Sequence, residues 1–181
     1  MRFLTAYCST QPQETILTGS ARMKQRPIGP LVEALREMGA DISYLENEGC
    51  PPIKISGGNL KKGGLIKVSA NISSQFVSAL AMVAPIYENG LTIELTGKLV
   101  SKPYLEMTLE IMRFFGVESK WKSNKIIIPP QQYRPQTFDV EGDWSAASYF
   151  YSAVALSEKG SIRINGLQQN SLQGDSVLPK I

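Results

Sequence analysis

Histidine is absent from this 181-residue chain, and cysteine occurs only at Cys8 and Cys50. The lack of histidine excludes the Ser-His-Asp and Cys-His nucleophile systems, the usual general base and most zinc sites. The two cysteines have no metal-ligand spacing, so we expect two free thiols in a reducing compartment. Any acid–base chemistry must therefore use aspartate, glutamate, lysine or tyrosine.

Charge and long apolar runs are also scarce. Charged residues make up 19% of the chain and hydrophobic residues 43%, against about 25% charged residues in an average soluble domain. No run approaches the ~18 apolar residues of a membrane span, and a formal charge of +3 is too small to indicate nucleic-acid binding. The composition predicts a folded chain of one domain, or of one domain and part of another, with a small anionic ligand and neither a membrane nor a nucleic acid as its partner.

Three segments place hydroxyl, amide and basic side chains where a loop is predicted to become a helix. They are Thr18-Gly19-Ser20-Ala21-Arg22, Ile72-Ser73-Ser74-Gln75 and Val100-Ser101-Lys102-Pro103-Tyr104. The first turn of a helix leaves about four backbone N–H groups unpaired and carries roughly half a positive charge. Each segment therefore predicts a site for a phosphate or a carboxylate.

The hydrophobic pattern alternates short strands with helices of about a dozen residues. The predicted strands are Glu14 to Thr18, Asp41 to Leu45, Ile53 to Ser56, Leu65 to Ser69, Leu91 to Leu95, Val117 to Trp121, Lys125 to Ile128, Thr137 to Val140 and Ser161 to Ile164. The predicted helices are Pro27 to Met38, Ser73 to Val83, Pro103 to Phe115 and Ser145 to Leu156. Proline is expected in the first helical turn at Pro27 and Pro103, and glycine at the helix ends at Gly39 and Gly116.

The order of these elements repeats. A strand, a serine-rich helix, a strand, a proline-initiated helix and two strands run from Leu65 to Ile128, and a further strand and serine-rich helix begin at Thr137. The two serine-rich helices begin 72 residues apart, at Ser73 and Ser145. The sequence thus predicts an α/β (α+β) fold of repeated βαβαββ units, with the helices that are rich in small residues buried at the centre.

Both ends of the sequence are abrupt. The first eight residues have the pattern of the middle of a helix, with no capping residue before them. Near the other end, Ser171 to Asp175 has the pattern of a helix start, and only six residues follow. We therefore expect an internal fragment of a longer protein.

Five linked motifs run along the chain: Leu17 to Gly29, Ser73 to Phe76, Leu99 to Tyr104, Val140 to Asp143 and Asn170 to Asp175. In residue types, order and spacing they resemble the 5-enolpyruvylshikimate-3-phosphate synthase family, the 3-phosphoshikimate 1-carboxyvinyltransferases. The resemblance covers the whole chain.

The resemblance implies a shikimate-pathway enzyme that transfers the enolpyruvyl group of phosphoenolpyruvate to the 5-hydroxyl of shikimate 3-phosphate and releases phosphate. It also implies no metal, no organic cofactor, a monomeric full-length enzyme and, by default, a bacterial cytoplasmic location. The implied fold is an inside-out α/β barrel: two domains, each of three βαβαββ units with the helices inside, close over the substrates. Residues 1–140 would form most of one domain, the shikimate 3-phosphate-binding half, and residues 141–181 the crossover and the start of the second domain.

Four residues match positions of the family that lie at phosphoenolpyruvate and at the 3-phosphate. Arg22 matches the arginine that grips phosphoenolpyruvate, a task that suits a guanidinium because it holds an oxyanion bidentately and stays charged. Ser73 and Ser74 match the serines that bind the 3-phosphate, and Gln75 matches the glutamine between the two substrates.

Ser101 and Tyr104 match positions that contact the shikimate ring or its phosphate. Without the resemblance, Ser73 and Ser101 would be interpreted as plain helix caps; with it, we expect both to bind ligand.

Other polar residues are expected to have structural roles. Lys24, Arg26 and Lys102 could face a ligand, but we expect solvated charges or partners of neighbouring acids. Glu141 and Asp143 are expected to be hinge or helix-cap residues and not the catalytic acid.

Parts of the family pattern are missing from the sequence. These are the first ligand segment, with its lysine, serine and arginine, the Asn-Ala-Gly-Thr loop before Met1, and the carboxylates and lysine that transfer protons. Arg2 would be the trailing arginine of that loop, and Phe3 stands where some members have proline, so the sequence predicts nothing about sensitivity to glyphosate. We expect no catalytic residue in these 181 residues and no turnover by this chain alone.

Three alternatives stay open. The sister enzyme that transfers enolpyruvate to a UDP-amino sugar shares the repeat fold but has a reactive cysteine in a loop, a context that neither Cys8 nor Cys50 has. A second alternative is a non-catalytic phosphate-binding module of the same fold. The third is an RNA-binding domain of related units, which the missing basic stripe and the absence of arrayed aromatic residues disfavour.

Overall fold

The computed structural model describes residues 1–57, 63–69, 73–97 and 101–180. They form two units, Met1–Arg134 and Pro135–Ile181, in a mixed α/β structure. Ile72, Leu99 and Val100, which belong to the predicted helix-start motifs, lie outside the described residues. Within the described part of the chain, no helix is both long and apolar enough to cross a membrane.

The first half of the first unit contains two helices and a three-stranded sheet. In chain order the elements are α1 (Arg2–Ser9), β1 (Thr15–Leu17), α2 (Gly29–Glu37), β2 (Asp41–Tyr44) and β3 (Ile53–Ser56). One turn of 3-10 helix, Met23–Gln25, lies between β1 and α2. The strand order is β1-β3-β2, and both pairs are antiparallel.

The second half of this unit adds one more strand. Its elements are β4 (Gly64–Ser69), α3 (Ser74–Val83), β5 (Leu91–Thr96), α4 (Lys102–Phe114), β6 (Lys120–Lys122) and β7 (Lys125–Ile128). The strand order is β4-β5-β7-β6, with β4 and β5 parallel and the other pairs antiparallel. The predicted βαβαββ order is confirmed for these six elements.

The two sheets share one connection pattern. If α1 is equivalent to α3 and α2 to α4, the order β1-β3-β2 reproduces β5-β7-β6 with the same antiparallel pairings. Both α2 and α4 also end in paired backbone hydrogen bonds that close around a glycine with positive φ, Gly39 and Gly116, as predicted. The first half therefore repeats the last five elements of the second.

Helix α3 lies at the centre of the first unit, against α1, α2, α4 and β5. Its residues from Phe76 to Ala81 and Val83 are buried, and the small ones, Ser78, Ala79 and Ala81, allow neighbouring helices to approach closely. Each large apolar side chain that is fully buried contributes about 1.5–3 kcal/mol. The predicted burial of this helix is confirmed, and it fixes the position of the residues that begin it.

Tyr87, which follows α3, is 1% exposed, and burial raises the pKa of its phenol from 10.0 to about 12. The unfolded chain loses this proton near pH 10 and the folded chain retains it to about pH 12. The stability that depends on it is therefore complete below pH 10 and falls by about 3 kcal/mol as pH approaches 12. We expect Tyr87→Phe to remove this part of the alkaline destabilisation in urea unfolding at several pH values. Tyr7→Phe, on the exposed face of α1, is the control; equal alkaline losses in both variants would contradict the prediction.

In the second unit, helix α5 (Trp144–Ala155) is capped by Asp143. The Oδ1 atom of Asp143 accepts from the backbone N–H groups of Ser145 and Ala146, at 2.8 and 3.2 Å. The predicted cap role of Asp143 is thus confirmed. A 3-10 helix, Gly174–Lys180, lies near the segment where the sequence predicted a helix start.

Asp143→Ala is expected to destabilise α5 by about 1 kcal/mol, because it removes the acceptor for two N–H groups. Amide hydrogen exchange of α5 measures this loss directly. Asp139→Ala, an exposed aspartate of the same unit, removes the same charge without removing a cap. Equal exchange rates in the two variants would show that the cap contributes nothing.

Several predicted bounds were wrong, most clearly the two strands expected in the second unit. Among its described residues, 137–140 and 161–164 form no strand, and Val140 is 87% exposed. One backbone bond, from Gly142 N to Gly166 O at 2.7 Å, joins the chain near these segments. A strand needs a ladder of such bonds, which local alternation of side chains does not supply.

Two element starts in the first unit also differ from the prediction. Helix α2 begins at Gly29, after Ile28 with a non-helical φ of −132°, so that Pro30 and not Pro27 lies in the first turn. Strand β6 begins at Lys120 instead of Val117. The N–H of Val117 is used by the end of α4, where it donates to Met112 O at 2.9 Å.

Candidate functional site

The start of α3 presents three of the six predicted site residues. Ser73 is the N-cap residue, Ser74 is the first helical residue and Gln75 follows it; Ser73 and Gln75 are exposed. A capping serine normally uses its hydroxyl to accept a backbone N–H. Among the described residues, the Ser73 side chain makes no such capping bond. The interpretation of Ser73 as a plain cap is therefore not supported by its geometry.

The start of α4 has the same arrangement. Ser101 is the N-cap residue, half-buried, and within the described chain its side chain makes no capping bond. Pro103 lies in the first turn, as predicted. Tyr104 is 54% exposed. Two helix starts thus carry hydroxyl groups beside backbone N–H donors, the arrangement that binds anions in other proteins.

Arg22 lies outside any helix of useful length. It is exposed, and it precedes a single 3-10 turn, Met23–Gln25, whose first N–H lies 3.4 Å from Ser20 Oγ. The predicted helix start at Thr18–Arg22 was therefore wrong. A single turn has almost no macrodipole, so any attraction for an anion at this position has to come from the guanidinium of Arg22 itself.

Gln75 faces a small pocket that also contains two arginines. The pocket has a volume of about 180 Å³, and Arg2, Arg26 and Gln75 supply its polar walls. Arg2 donates to Gln75 Oε1, and its guanidinium lies 4.9 Å from the ring centre of Phe76. This bond turns the Nε2 donors of Gln75 away from Arg2. The pocket is therefore lined by donors of three different elements.

The two arginines of this pocket repel one another. Burial and, secondarily, the positive charge of Arg26 lower the pKa of the Arg2 guanidinium. Two cations held near each other without a counter-charge destabilise the site, and an anion between them removes the repulsion while accepting charge-assisted hydrogen bonds. The electrostatics of the pocket thus favour a phosphate or a carboxylate.

The pocket unites only some of the predicted residues. Its described wall includes Gln75 but not Arg22, Ser101 or Tyr104. Arg2 and Arg26 were not predicted as site residues, and Arg26 was expected to be solvated. A partial signal was present: Arg26 lies two residues before Ile28, which is 1% exposed and anchors this segment on the core.

The two lysines beside the motifs are paired with acids, as predicted. Lys24 Nζ lies 2.6 Å from Glu46, and Lys102 Nζ lies 2.5 Å from Glu106 and 5.3 Å from the ring centre of Trp121. These ion pairs turn both charges toward neighbouring side chains. Over the part of the chain that the structure describes, no group of three or more histidine, cysteine, aspartate or glutamate residues is arranged to hold a metal.

Comparison with known proteins gives one family throughout. The family model of EPSP synthase (3-phosphoshikimate 1-carboxyvinyltransferase) matches residues 1–181. A 3-phosphoshikimate 1-carboxyvinyltransferase of Bacteroides fragilis (strain YCH46) is 50% identical over 177 residues, which are 97% of this chain and 43% of the relative. One of Vibrio atlanticus (strain LGP32) is 49% identical over 178 residues, 97% of this chain and 41% of the relative. The chain thus spans less than half the length of these curated relatives.

Solved structures agree with the sequence relatives. Two structures of EPSP synthase from Acinetobacter baumannii align with a TM-score of 0.70 and 28% identity. The alignments cover 87% of this chain and 34% and 35% of the solved chains. The chain belongs to the EPSP synthase (3-phosphoshikimate 1-carboxyvinyltransferase) family.

Proposed function

We propose that this chain forms the shikimate 3-phosphate-binding part of an enzyme that transfers the enolpyruvyl group of phosphoenolpyruvate to the 5-hydroxyl of shikimate 3-phosphate, with release of phosphate. The relatives that carry this activity in their names are more than twice as long as the aligned segment. The activity therefore belongs to a protein of that length, and we expect these 181 residues to bind substrate without completing a turnover.

The observation that best supports the proposal is the pocket of Arg2, Arg26 and Gln75. Both substrates are anions, and the two guanidiniums are the groups that suit a phosphate or a carboxylate. Gln75 lies on this pocket and also follows the serines that begin α3. It is therefore placed to touch both a ligand at the arginines and a ligand at the helix start.

The two helix starts supply the proposed site for shikimate 3-phosphate. Ser73 and Ser74 would donate to the phosphate together with the backbone N–H groups of α3, and Ser101 and Tyr104 would contact the ring or the same phosphate. Arg22 would hold phosphoenolpyruvate through its guanidinium alone. Each hydrogen bond to a charged group contributes about 1.5–3 kcal/mol.

The architecture that we propose for the complete protein is the inside-out barrel of βαβαββ units. In it, residues 1–140 contribute to one domain, and residues 141–181 form the crossover and begin the second. Closure of the two domains would exclude water from the developing charge, a step that strengthens every electrostatic contact in the site. The acid and base of the reaction would come from outside this chain, and the monomeric state and cytoplasmic location stay predictions.

Calorimetric titration of the chain with shikimate 3-phosphate tests this proposal. We expect a Kd in the millimolar to micromolar range, and we expect the double variant Ser73→Ala/Ser74→Ala to raise it at least about tenfold because two donors to the phosphate are lost. Ser157→Ala, an exposed serine of the second unit, is the matched control and should bind as the native chain does. Equal affinity of the double variant and the control would contradict the proposed role of these serines.

A further inference from the structure

Ser78 differs from the other buried polar residues of the described chain. Thr5, Ser9 and Ser78 are each at most 5% exposed. Thr5 and Ser9 donate to carbonyl groups of their own helix, at 3.1 and 2.7 Å. The hydroxyl of Ser78 instead lies 2.9 Å from Thr108 Oγ1, so it joins α3 to α4. A buried hydroxyl has to be hydrogen-bonded to be tolerated, and here the partner belongs to another helix.

The direction of this hydrogen bond follows from the third atom in the chain. Thr108 Oγ1 also lies 2.9 Å from the carbonyl oxygen of Tyr104. A carbonyl oxygen can only accept, so the single hydroxyl proton of Thr108 is directed to Tyr104. The proton of Ser78 therefore points to Thr108. The result is an ordered relay from Ser78 through Thr108 to the backbone of Tyr104.

The relay lies one helical turn inside both candidate helix starts. Ser78 is four residues after Ser74, and Thr108 is four residues after Tyr104, so each pair shares one face of its helix. Four residues correspond to about 6 Å along a helix axis. A change in the separation or rotation of the helices at the relay is thus transmitted almost undiminished to the residues that begin α3 and α4.

We propose that Ser78 and Thr108 are positioning residues, whose hydrogen bond fixes the orientation of α3 relative to α4 so that both helix starts reach one shikimate 3-phosphate molecule. This inference rests on the proposed function of those helix starts. Apolar contacts between helices permit small sliding movements, whereas a hydrogen bond is restricted in both distance and angle. The relay supplies this restriction at the level where the ligand-binding residues begin.

Four variants separate positioning from stability. Thr108→Val keeps the shape and removes the hydroxyl, Ser78→Ala removes the donor, the double variant removes both, and Thr108→Ser keeps the hydroxyl as the rescue control. Leaving one buried hydroxyl without its partner is more destabilising than removing both. We therefore expect the unfolding midpoint of the double variant to be closer to the native value than that of Thr108→Val.

Two measurements on each variant decide the inference: amide residual dipolar couplings of α3 and α4, which report their relative orientation, and the Kd for shikimate 3-phosphate. We expect the Thr108→Val and double variants to change the relative orientation and to raise the Kd about threefold to tenfold, the effect of one hydrogen bond. Thr108→Ser should match the native chain in both measurements. A purely structural pair would instead show native couplings and native affinity once stability is recovered in the double variant.

The possible failures are distinguishable. Unchanged couplings in the double variant would overturn the inference, whatever the affinities are. Changed couplings with an unchanged Kd would overturn the link between helix orientation and ligand binding. If the native chain binds no shikimate 3-phosphate, the proposed function of the helix starts fails, and the couplings alone then decide whether the relay orients the helices.

Discussion

Replacing Arg26 by glutamine is expected to raise the Kd for phosphoenolpyruvate by about tenfold to a hundredfold, since a hydrogen bond from a guanidinium to an anion contributes about 1.5–3 kcal/mol. Arg26 shares its pocket with Arg2 and Gln75, and its charge is one of the causes that lower the pKa of Arg2. Glutamine keeps a polar side chain of similar reach but removes the charge. Calorimetry in the presence of shikimate 3-phosphate measures the change.

The matched control for this experiment is Arg163→Gln. Arg163 is an exposed arginine of the second unit, so the variant removes the same charge from the chain without altering the pocket. We expect its Kd for phosphoenolpyruvate to equal that of the native chain. If Arg26→Gln also binds with native affinity, the arginine pair is not an anion site and the repulsion between its members has no functional counterpart.

Gly90→Ala is expected to destabilise the chain by about 2–5 kcal/mol, a large effect for the addition of one methyl group. Gly90 precedes β5 with a φ of +63°, and a Cβ atom at this position would lie 2.2 Å from Ile128 O and 2.8 Å from backbone atoms of Pro129. The cost therefore has two parts, the strain of positive φ and the displacement of backbone at the end of β7. Urea unfolding measures their total.

Gly49→Ala isolates the first of these two parts. Gly49 has a φ of +80°, and a Cβ atom there would have no atom within 4 Å. We expect a cost of about 1–2 kcal/mol, that of positive φ alone. A Gly90 variant no less stable than the Gly49 variant would show that β7 moves freely, which the antiparallel pairing of β5 with β7 argues against.

Most elements of the first unit were predictable because local signals and tertiary contacts agree there. The helix predicted for Ser73 to Val83 is observed as Ser74–Val83, and the strand Ile53–Ser56 has the predicted bounds. The failures have a tertiary cause. Residues 137–140 have a strand-like alternation but lack a ladder partner among the described residues, and a pattern in one segment says nothing about a second one.

The candidate site was only half predictable for the same reason. Gln75 and the serines beside it lie in one motif, so the resemblance was sufficient to name them. Arg2 is 73 residues from Gln75 in the sequence, yet the two side chains are hydrogen-bonded. The relay from Ser78 to Thr108 spans 30 residues and consists of two residue types that are common in helices. Neither contact has a sequence signal, because each depends on how the helices pack.

Amide NMR titration of the chain with shikimate 3-phosphate would decide whether the two helix starts bind one ligand. We expect saturable chemical-shift changes centred on Ser73, Ser74 and Gln75 at the start of α3 and on Ser101 at the start of α4, with a single Kd for both groups. Shift changes at only one helix start, or none at millimolar ligand, would contradict the proposal that this chain presents a shared site for shikimate 3-phosphate.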